Sequence, residues 1–476
     1  MNTHAAERTV VIGAGLAGLA AALELQTAGR PVVALEADAR PGGIVSTETV
    51  EIEGDTFRFE YGPNTVPAGA AGVRRAAVEL GLLGDLATSS AQAKTRYLWH
   101  EGRLEPLPMS PPALLKTPLL SARSKARFLT ERFRKWRAPK GPEPSLADVL
   151  TERFGSQVTE RIAGAFVRGV YAGEPEGLGC RSAFPRLWSM LERHGGILRG
   201  MGALKAERES AEAQPGPVAE RGALLGFRGG FQTLVDGFQR RLGDTLRLST
   251  PVARLDRAGE GWRVVLQSGE SIEARAVVLA VPVRAAARLL RSAGLDSPAD
   301  TLDAVPRRGV TQVHLGWRAA NAPRLPEGFG FLVPPTATGP DAPGCLGAIF
   351  ASNLFPDRAP SGGAAVTVFR PNAGTDDPPD PESVQRSLAD LGMLLSAGSQ
   401  AALPTPAVER VVHWPLAIPQ AAPGHAERLA GLTRSLNTTG PGLILAGGYA
   451  GGVSVDDVLI AGRAAGQRAA ERTSVE

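Results

Sequence analysis

The stretch from Arg8 to Gly43, RTVVIGAGLAGLAAALELQTAGRPVVALEADARPGG, constrains the fold more than any other part of the chain. Val10, Val11 and Ile12 form an apolar run suited to a buried parallel strand, and it passes directly into Gly13-x-Gly15-x-x-Gly18. A helix is predicted next, with Leu19, Leu23 and Leu25 on its apolar face and Gly29 at its end. Pro31 to Leu35 then reads as the second strand of a βαβ unit. Gly13 permits the tight turn, Gly15 lets a pyrophosphate approach the main chain, and Gly18 lets helix and strand pack closely. Glu36 lies 18 residues beyond Gly18, where a carboxylate accepts hydrogen bonds from ribose hydroxyls and repels a 2′-phosphate. The competing readings are a membrane anchor and a plain core helix. The uncharged run is shorter than a span of about 20 residues, and Glu24 interrupts it.

At 476 residues with 43% hydrophobic content, the chain can build two or three domains around a substantial core. Its net charge of +4 is modest for that length. Two cysteines, Cys180 and Cys345, make neither a disulfide framework nor a zinc cluster, and the six histidines lack metal-ligand spacing, so no metal is expected. A reducing cytoplasm fits best. The start MNTHAAER lacks the pattern of a secretion signal, and no second apolar run reaches 18 residues, so any membrane association is expected to be peripheral or monotopic.

Arg40, Gly42 and Gly43 form a turn that can lie along phosphates, with Arg40 offsetting their charge. Phe57 to Asn64 alternates like a strand, Ala70 to Leu83 reads as a helix, and Arg96 to Pro108 reads as a hairpin. Between Lys116 and Lys140 stand nine basic residues and one acid, Glu131, interleaved with Leu119, Leu120, Phe128, Leu129, Phe133 and Trp136. That pattern suits an anionic bilayer surface better than a merely solvated face, and better than nucleic acid, for which no accompanying motif is present. Ser145 is expected to cap a helix, and further helices follow through Arg161–Val170 and Arg186–Leu198. The stretch Lys205–Glu220 reads as a mobile excursion or linker. A helix after Gly229-Gly230, then strands up to Ala280, return the chain to its first domain. Strands between Val310 and Phe369 could line an apolar pocket, and Pro379–Leu395 reads as a helix. The segment from Gly442 to Ala470 repeats the order strand, glycine turn, helix.

With these motifs in place the chain resembles the FAD-dependent protoporphyrinogen oxidases, within the monoamine-oxidase-like flavoprotein superfamily. The N-terminal glycines, Glu36 and Arg40-x-Gly42-Gly43 resemble the superfamily at large. Gly62-Pro63-Asn64, Gly169-Val170-Tyr171-Ala172-Gly173, Leu354 to Pro360 and His413 to Gln420 resemble the porphyrinogen-oxidising branch. The resemblance implies a discontinuous Rossmann-like FAD-binding domain (1–90, 225–290 and 405–476) and a mixed β-sheet substrate domain (91–110 and 291–404). It also implies a helical membrane-associated insertion (111–224), an overall α/β and α+β fold. It further implies that Gly13, Gly15, Gly18, Glu36, Arg40, Gly42, Gly43, Gly62, Val252, Trp414, Gly448, Val453 and Ser454 meet non-covalently bound FAD. Arg96 would pair with a substrate propionate, Gly169 would offer its carbonyl to pyrrole N–H groups, and Asn64, Leu332, Phe331 and Phe355 would contact the macrocycle, with Phe329 as a further wall residue.

On this resemblance the activity is six-electron oxidation of protoporphyrinogen IX, by three hydride transfers to FAD, each followed by reoxidation with O2 and release of H2O2. No catalytic acid or base is implied, because the flavin carries the redox chemistry. A homodimer, a ferrochelatase partner and attachment to the cytoplasmic membrane are implied more loosely. The alternatives are coproporphyrinogen III oxidation, an amine oxidase with Tyr449 and Trp414 as an aromatic pair, and a non-catalytic porphyrin-binding flavoprotein.

Overall fold

The structure is a computed structural model that describes residues 7–210, 223–339, 342–372, 380–395 and 402–473. Its organising layer is a five-stranded parallel sheet. Across it run Leu246–Arg247, Val32–Leu35, Thr9–Ile12, Ala276–Leu279 and Leu443–Leu445, so widely separated stretches of chain build one sheet. Thr9, Val10, Val11 and Ile12 pair in register with Ala276 to Leu279 on one side and Val32 to Leu35 on the other. All four residues of the first strand are buried, which accounts for its continuous apolar run.

Helix Leu16–Thr27 covers one face of this sheet and lies against the C-terminal helix Val455–Arg472. Their close approach depends on small residues. A Cβ at Gly462 would stand 2.2 Å from the Ala17 carbonyl oxygen, and one at Gly466 would stand 2.7 Å from that of Ala21. The antiparallel strands Val252–Ala258, Gly261–Leu266 and Ser271–Ala274 flank the same unit.

A second, seven-stranded mixed sheet has the order Val408–Pro419, Arg307–Trp317, Ala364–Asn372, Gly347–Ile349, Gly330–Leu332, Arg96–His100, Arg103–Pro106. Only the Gly330–Leu332 pairing with Arg96–His100 is parallel. One face, carrying Phe331, Val313, Ala348, Val368 and the partly buried Tyr97, closes over a core with helix Ser383–Leu395.

Between the two sheets in sequence lies a group of helices, among them Pro111–Lys116, Ala122–Leu129, Leu146–Phe154, Gly164–Tyr171, Pro185–His194 and Ile197–Ser210. Ser145 caps the third with a reciprocal box, its Oγ accepting from the Asp148 N–H while Asp148 accepts from the Ser145 N–H. Glu131, the sole acid of the basic run, is fully buried. Its carboxylate takes Arg153 at 2.5 Å and the N–H groups of Ile197 and Leu198, so it anchors a helix N-terminus. The linker expected over Lys205–Glu220 is corrected in its first part, because the helix continues to Ser210; residues 211–222 lie outside the described residues. No helix among the described residues is long and apolar enough to cross a membrane.

Candidate functional site

The glycine loop joins the first strand to helix Leu16–Thr27, and its three glycines do different work. Gly13 has φ +96°, and a Cβ there would stand 2.6 Å from the Ala280 carbonyl oxygen. At Gly18 a Cβ would fall 1.8 Å from the Gly13 carbonyl oxygen, so no side chain fits between loop and helix. Gly15 has ordinary φ of −66°, yet nothing lies within 4 Å of the place its Cβ would take. Space opens at that point. No side chain caps the helix, so its first N–H groups face the opening unused.

The Gly42–Gly43 turn closes over this loop. The Gly42 N–H donates to the Ala14 carbonyl at 2.8 Å, and a Cβ at Gly43 would stand 3.3 Å from the Gly15 Cα. Glu36 accepts from the Ala14 N–H at 2.6 Å and the Asp38 N–H at 3.0 Å, which leaves each oxygen a further lone pair for a hydroxyl donor. Arg40 turns back on its own loop, donating to the carbonyls of Pro41, Val45 and Gly43. Its charge stays at the turn, but its fork braces the backbone instead of pointing at a phosphate. Val252 and Leu35 belong to the same buried core under the parallel sheet.

Three further segments border it. Gly62 lies against the glycine turn, where a Cβ would meet the Ile44 carbonyl oxygen at 2.3 Å. The Trp414 indole N–H donates to the Tyr61 carbonyl at 2.6 Å, Gln312 donates to the Gly62 carbonyl at 3.3 Å, and Asn64, 9% exposed, donates to that same carbonyl at 3.3 Å. From the C-terminal end, Gly448 and Val453 approach each other, a Cβ at Gly448 standing 3.9 Å from the Val453 Cα. Ser454 spends its hydroxyl on capping the last helix, accepting from the Asp457 N–H and donating to the Asp457 carboxylate. The hydroxyl proton is thereby committed to Asp457.

The free face of the seven-stranded sheet follows from register, because directly paired residues share a face and alternate ones repeat it. One row across the strands is Leu98, Leu332, Gly347, Phe369, Gln312 and Val412. The adjacent row is Arg96, Gly330, Ile349, Thr367, His314 and Arg410. Gly330 and Gly347 leave two neighbouring positions without side chains, which flattens the face between Arg96, Leu332 and Phe369. Helix Gly164–Tyr171 roofs one end of it. A Cβ on Gly169 would enter Leu332 at 2.3 Å, and Phe166 and Val170, on the same side of that helix, are 47% and 44% exposed.

Arg96 is half-buried over the Phe329 ring at 5.4 Å, and burial pushes its pKa below the usual guanidinium value. Among the described residues no carboxylate pairs with it. His314 is fully buried beside the Phe59 and Tyr61 rings with one ring nitrogen on the Thr367 hydroxyl, and burial pushes its pKa down to about 3, so it is neutral.

The profile of the flavin-containing amine oxidoreductase family matches residues 16–470. A chloroplastic protoporphyrinogen oxidase from Oryza sativa is 32% identical over 94% of this chain and 85% of that protein. The chain belongs to the flavin-containing amine oxidoreductase family, in its protoporphyrinogen oxidase branch. A Bacillus subtilis coproporphyrinogen III oxidase is 25% identical over 96% of this chain and 97% of its own length. A crystal structure of a candidate protoporphyrinogen oxidase from Exiguobacterium shares the fold, with a TM-score of 0.77, 21% identity and coverage of 97% of this chain and 98% of that one.

As a member of this family the chain is an FAD-dependent oxidoreductase, and the cradle fits FAD. The open space at Gly15 faces an uncapped helix N-terminus, Glu36 stands at the ribose position, and Trp414 and the Gly62 turn stand beyond. Of the predicted cofactor residues, Gly13, Gly15, Gly18, Glu36, Gly42, Gly43 and Gly62 surround this cradle, and the Arg40 and Ser454 side chains are hydrogen-bonded within their own segments.

The predicted substrate set is divided. Arg96, Leu332 and Gly169 share the free sheet face and its roof, and Asn64 stands by the Gly62 turn. Phe331 is corrected: next to Leu332 in sequence, its side chain points to the opposite face, 2% exposed against Phe350. Phe355 is 3% exposed and packs with Phe329 and with Ile349, a residue of the Arg96 row. Phe369, absent from the predicted set, takes the central place, half-buried in line with Leu332. Only strand register reveals it. Tyr449 is 5% exposed within the core under the parallel sheet, so it forms no aromatic pair with Trp414.

Proposed function

We propose that the chain oxidises protoporphyrinogen IX to protoporphyrin IX in haem biosynthesis, removing six electrons in three two-electron steps with O2 as acceptor. The observation that carries this reading is Arg96, a half-buried guanidinium with no carboxylate partner among the described residues, on a sheet face flattened by Gly330 and Gly347. Such a group is stabilised by an anion that arrives with the ligand, and a tetrapyrrole with propionate arms supplies one. Bound FAD would supply the two-electron redox chemistry. The chain's own work is to bind and orient: Arg96 holds a carboxylate, Leu332 and Phe369 meet the macrocycle, and the Gly169 carbonyl accepts from pyrrole N–H groups. FAD is held without a covalent bond, since Cys180 and Cys345 are both buried, in the helical and sheet cores respectively.

The FAD-binding domain comprises 1–90, 225–290 and 405–476, the substrate domain 91–110 and 291–404, and the insertion 111–224. The insertion meets an anionic membrane surface through Leu115 and Phe133, 59% and 70% exposed among the lysines and arginines around them. Coproporphyrinogen III is the second reading, supported by the Bacillus subtilis relative. Aerobic assays watching porphyrin fluorescence separate the two. Faster turnover per unit KM with protoporphyrinogen IX is expected, and preference for the tetracarboxylate would reverse the assignment.

Register gives a paired prediction. Phe369→Ala is expected to raise KM about tenfold with little change in Tm. Phe331→Ala leaves KM unaltered and destabilises by about 3–5 kcal/mol, as removal of a buried aromatic does. Steady-state kinetics and thermal melts on both variants check it, and a raised KM in Phe331→Ala with a normal one in Phe369→Ala would refute the facing.

A further inference from the structure

The segment Leu354 to Pro360 holds Arg358, which is only 2% exposed. Its Nη2 donates to Glu60 Oε1 at 3.1 Å and to the Phe227 carbonyl at 3.2 Å, and its Nη1 donates to Asp357 Oδ1 at 2.8 Å. Glu60, 3% exposed, also accepts from the Phe231 N–H at 3.1 Å and the Thr47 hydroxyl at 2.7 Å. Asp357 accepts from the Gly229 N–H at 3.1 Å. One buried pair thus joins strands Thr47–Ile52 and Asp55–Glu60 to the start of helix Gln232–Leu242 and the Phe355–Arg358 turn. Stability alone does not explain it, because a buried ion pair is often matched or exceeded by apolar residues of similar size.

Both ends of the pair lead to the site. Glu60 immediately precedes Tyr61 and Gly62, whose carbonyls hold Trp414 and Gln312. The Arg358 guanidinium lies 5.0 Å from the Phe355 ring centroid, and that ring abuts Gly226, where a Cβ would stand 2.6 Å from Cζ. Phe355 packs with Phe329 and Ile349, and Phe329 lies beneath Arg96. Neither charge touches the free sheet face.

We propose that Arg358 is a positioning residue: with Glu60 it fixes the spacing between the Gly62–Asn64 turn on the cofactor side and the Phe355–Phe329–Arg96 wall on the substrate side. The proposal rests on the functional reading above for the identity of the substrate. In it the Phe355 ring, packed with Phe329, transmits the position of Arg358 to Arg96.

The test uses the FAD-loaded full chain at pH 8, comparing wild type with Arg358→Met, Arg358→Lys and Glu60→Gln/Arg358→Met. Arg358→Met leaves Glu60 buried and unpaired, so Tm and FAD content fall. In the double variant both charges are gone while the Gln carbonyl still accepts from Phe231, so Tm and FAD content return towards wild type. Positioning predicts that KM for protoporphyrinogen IX nevertheless stays at least about tenfold raised, an expected loss of one hydrogen-bonded charge contact, and that the visible flavin band remains shifted. Arg358→Lys, which keeps the charge but not the planar stack on Phe355, falls between. Recovery of KM and of the flavin band together with Tm in the double variant would overturn the proposal and leave a structural pair. Absence of turnover in the wild type would sink the substrate reading, and the flavin band, recorded without substrate, would still decide the role of Arg358.

Discussion

Arg96→Ala is expected to raise KM for protoporphyrinogen IX by about 10- to 100-fold, while kcat at saturation changes by less than about threefold. The magnitude follows from one charge-assisted hydrogen-bonded contact, about 1.5–3 kcal/mol. Arg96 holds the part of the substrate that does not react, so its contribution is the same in ground and transition states and is read in KM. Arg96→Lys keeps the charge but loses the planar fork and its stacking on Phe329, so an intermediate KM is expected. Steady-state porphyrin fluorescence on the three proteins measures the effect. Unchanged KM in the alanine variant would remove Arg96 from the site.

The second large effect is on the cofactor. In Gly15→Ala the added methyl enters empty space next to a backbone with φ of −66°, which alanine adopts freely, so the FAD-free protein should melt as wild type does. If that space is where a pyrophosphate approaches the helix, the same methyl blocks it, and FAD affinity should fall by about 100-fold or more. Gly18→Ala differs, because its methyl would lie 1.8 Å from the Gly13 carbonyl oxygen and must disturb the loop itself, lowering Tm as well. Comparing flavin absorbance per protein with melts of the FAD-free forms separates the two. Normal FAD content in Gly15→Ala would contradict the placement of the cofactor.

A third effect concerns pH. Burial pushes the Glu60 carboxyl up to about 7, against Arg358 and the hydrogen bonds from Thr47 and Phe231, with Asp357 adding to the rise. A folded pKa raised above the ordinary carboxylate value of about 4.3 means a stabilising contribution that is complete below that value and is lost as pH rises through 7. Wild type should therefore lose Tm between pH 5 and pH 8 more steeply than Glu60→Gln, whatever the offset between them. Parallel slopes would show that Glu60 does not titrate there.

The cradle was legible because its chemistry is local. Three glycines, a strand, a helix and Glu36 lie within one short stretch, and each requirement is met by residues adjacent in sequence. The sheet face was not, because Gly328 to Val333 alternates apolar residues between two apolar surroundings, and nothing in the segment says whether Phe331 or Leu332 turns to the site. Pairing of Gly330 with Ile349 and of Gly347 with Phe369 decides that, across gaps that no local pattern spans. Strand Val408–Pro419 escapes pattern reading for another reason: prolines at 415 and 419 and a positive φ at Leu416 interrupt the alternation expected of a strand that carries Trp414. The Glu60–Arg358 pair lies 298 positions apart, and opposite charges that far separated give no sequence signal.

The account's central claim, that the FAD cradle and the Arg96 face form one site for a porphyrinogen, is tested most directly by anaerobic mixing of the FAD-loaded chain with excess protoporphyrinogen IX. Loss of the visible oxidised-flavin band is expected, with porphyrin fluorescence appearing only once O2 is admitted, because one FAD takes two of the six electrons; bleaching in Arg96→Ala should be slow and recover at high substrate. A flavin band that persists with protoporphyrinogen IX, yet bleaches with a simple primary amine such as benzylamine, would contradict it.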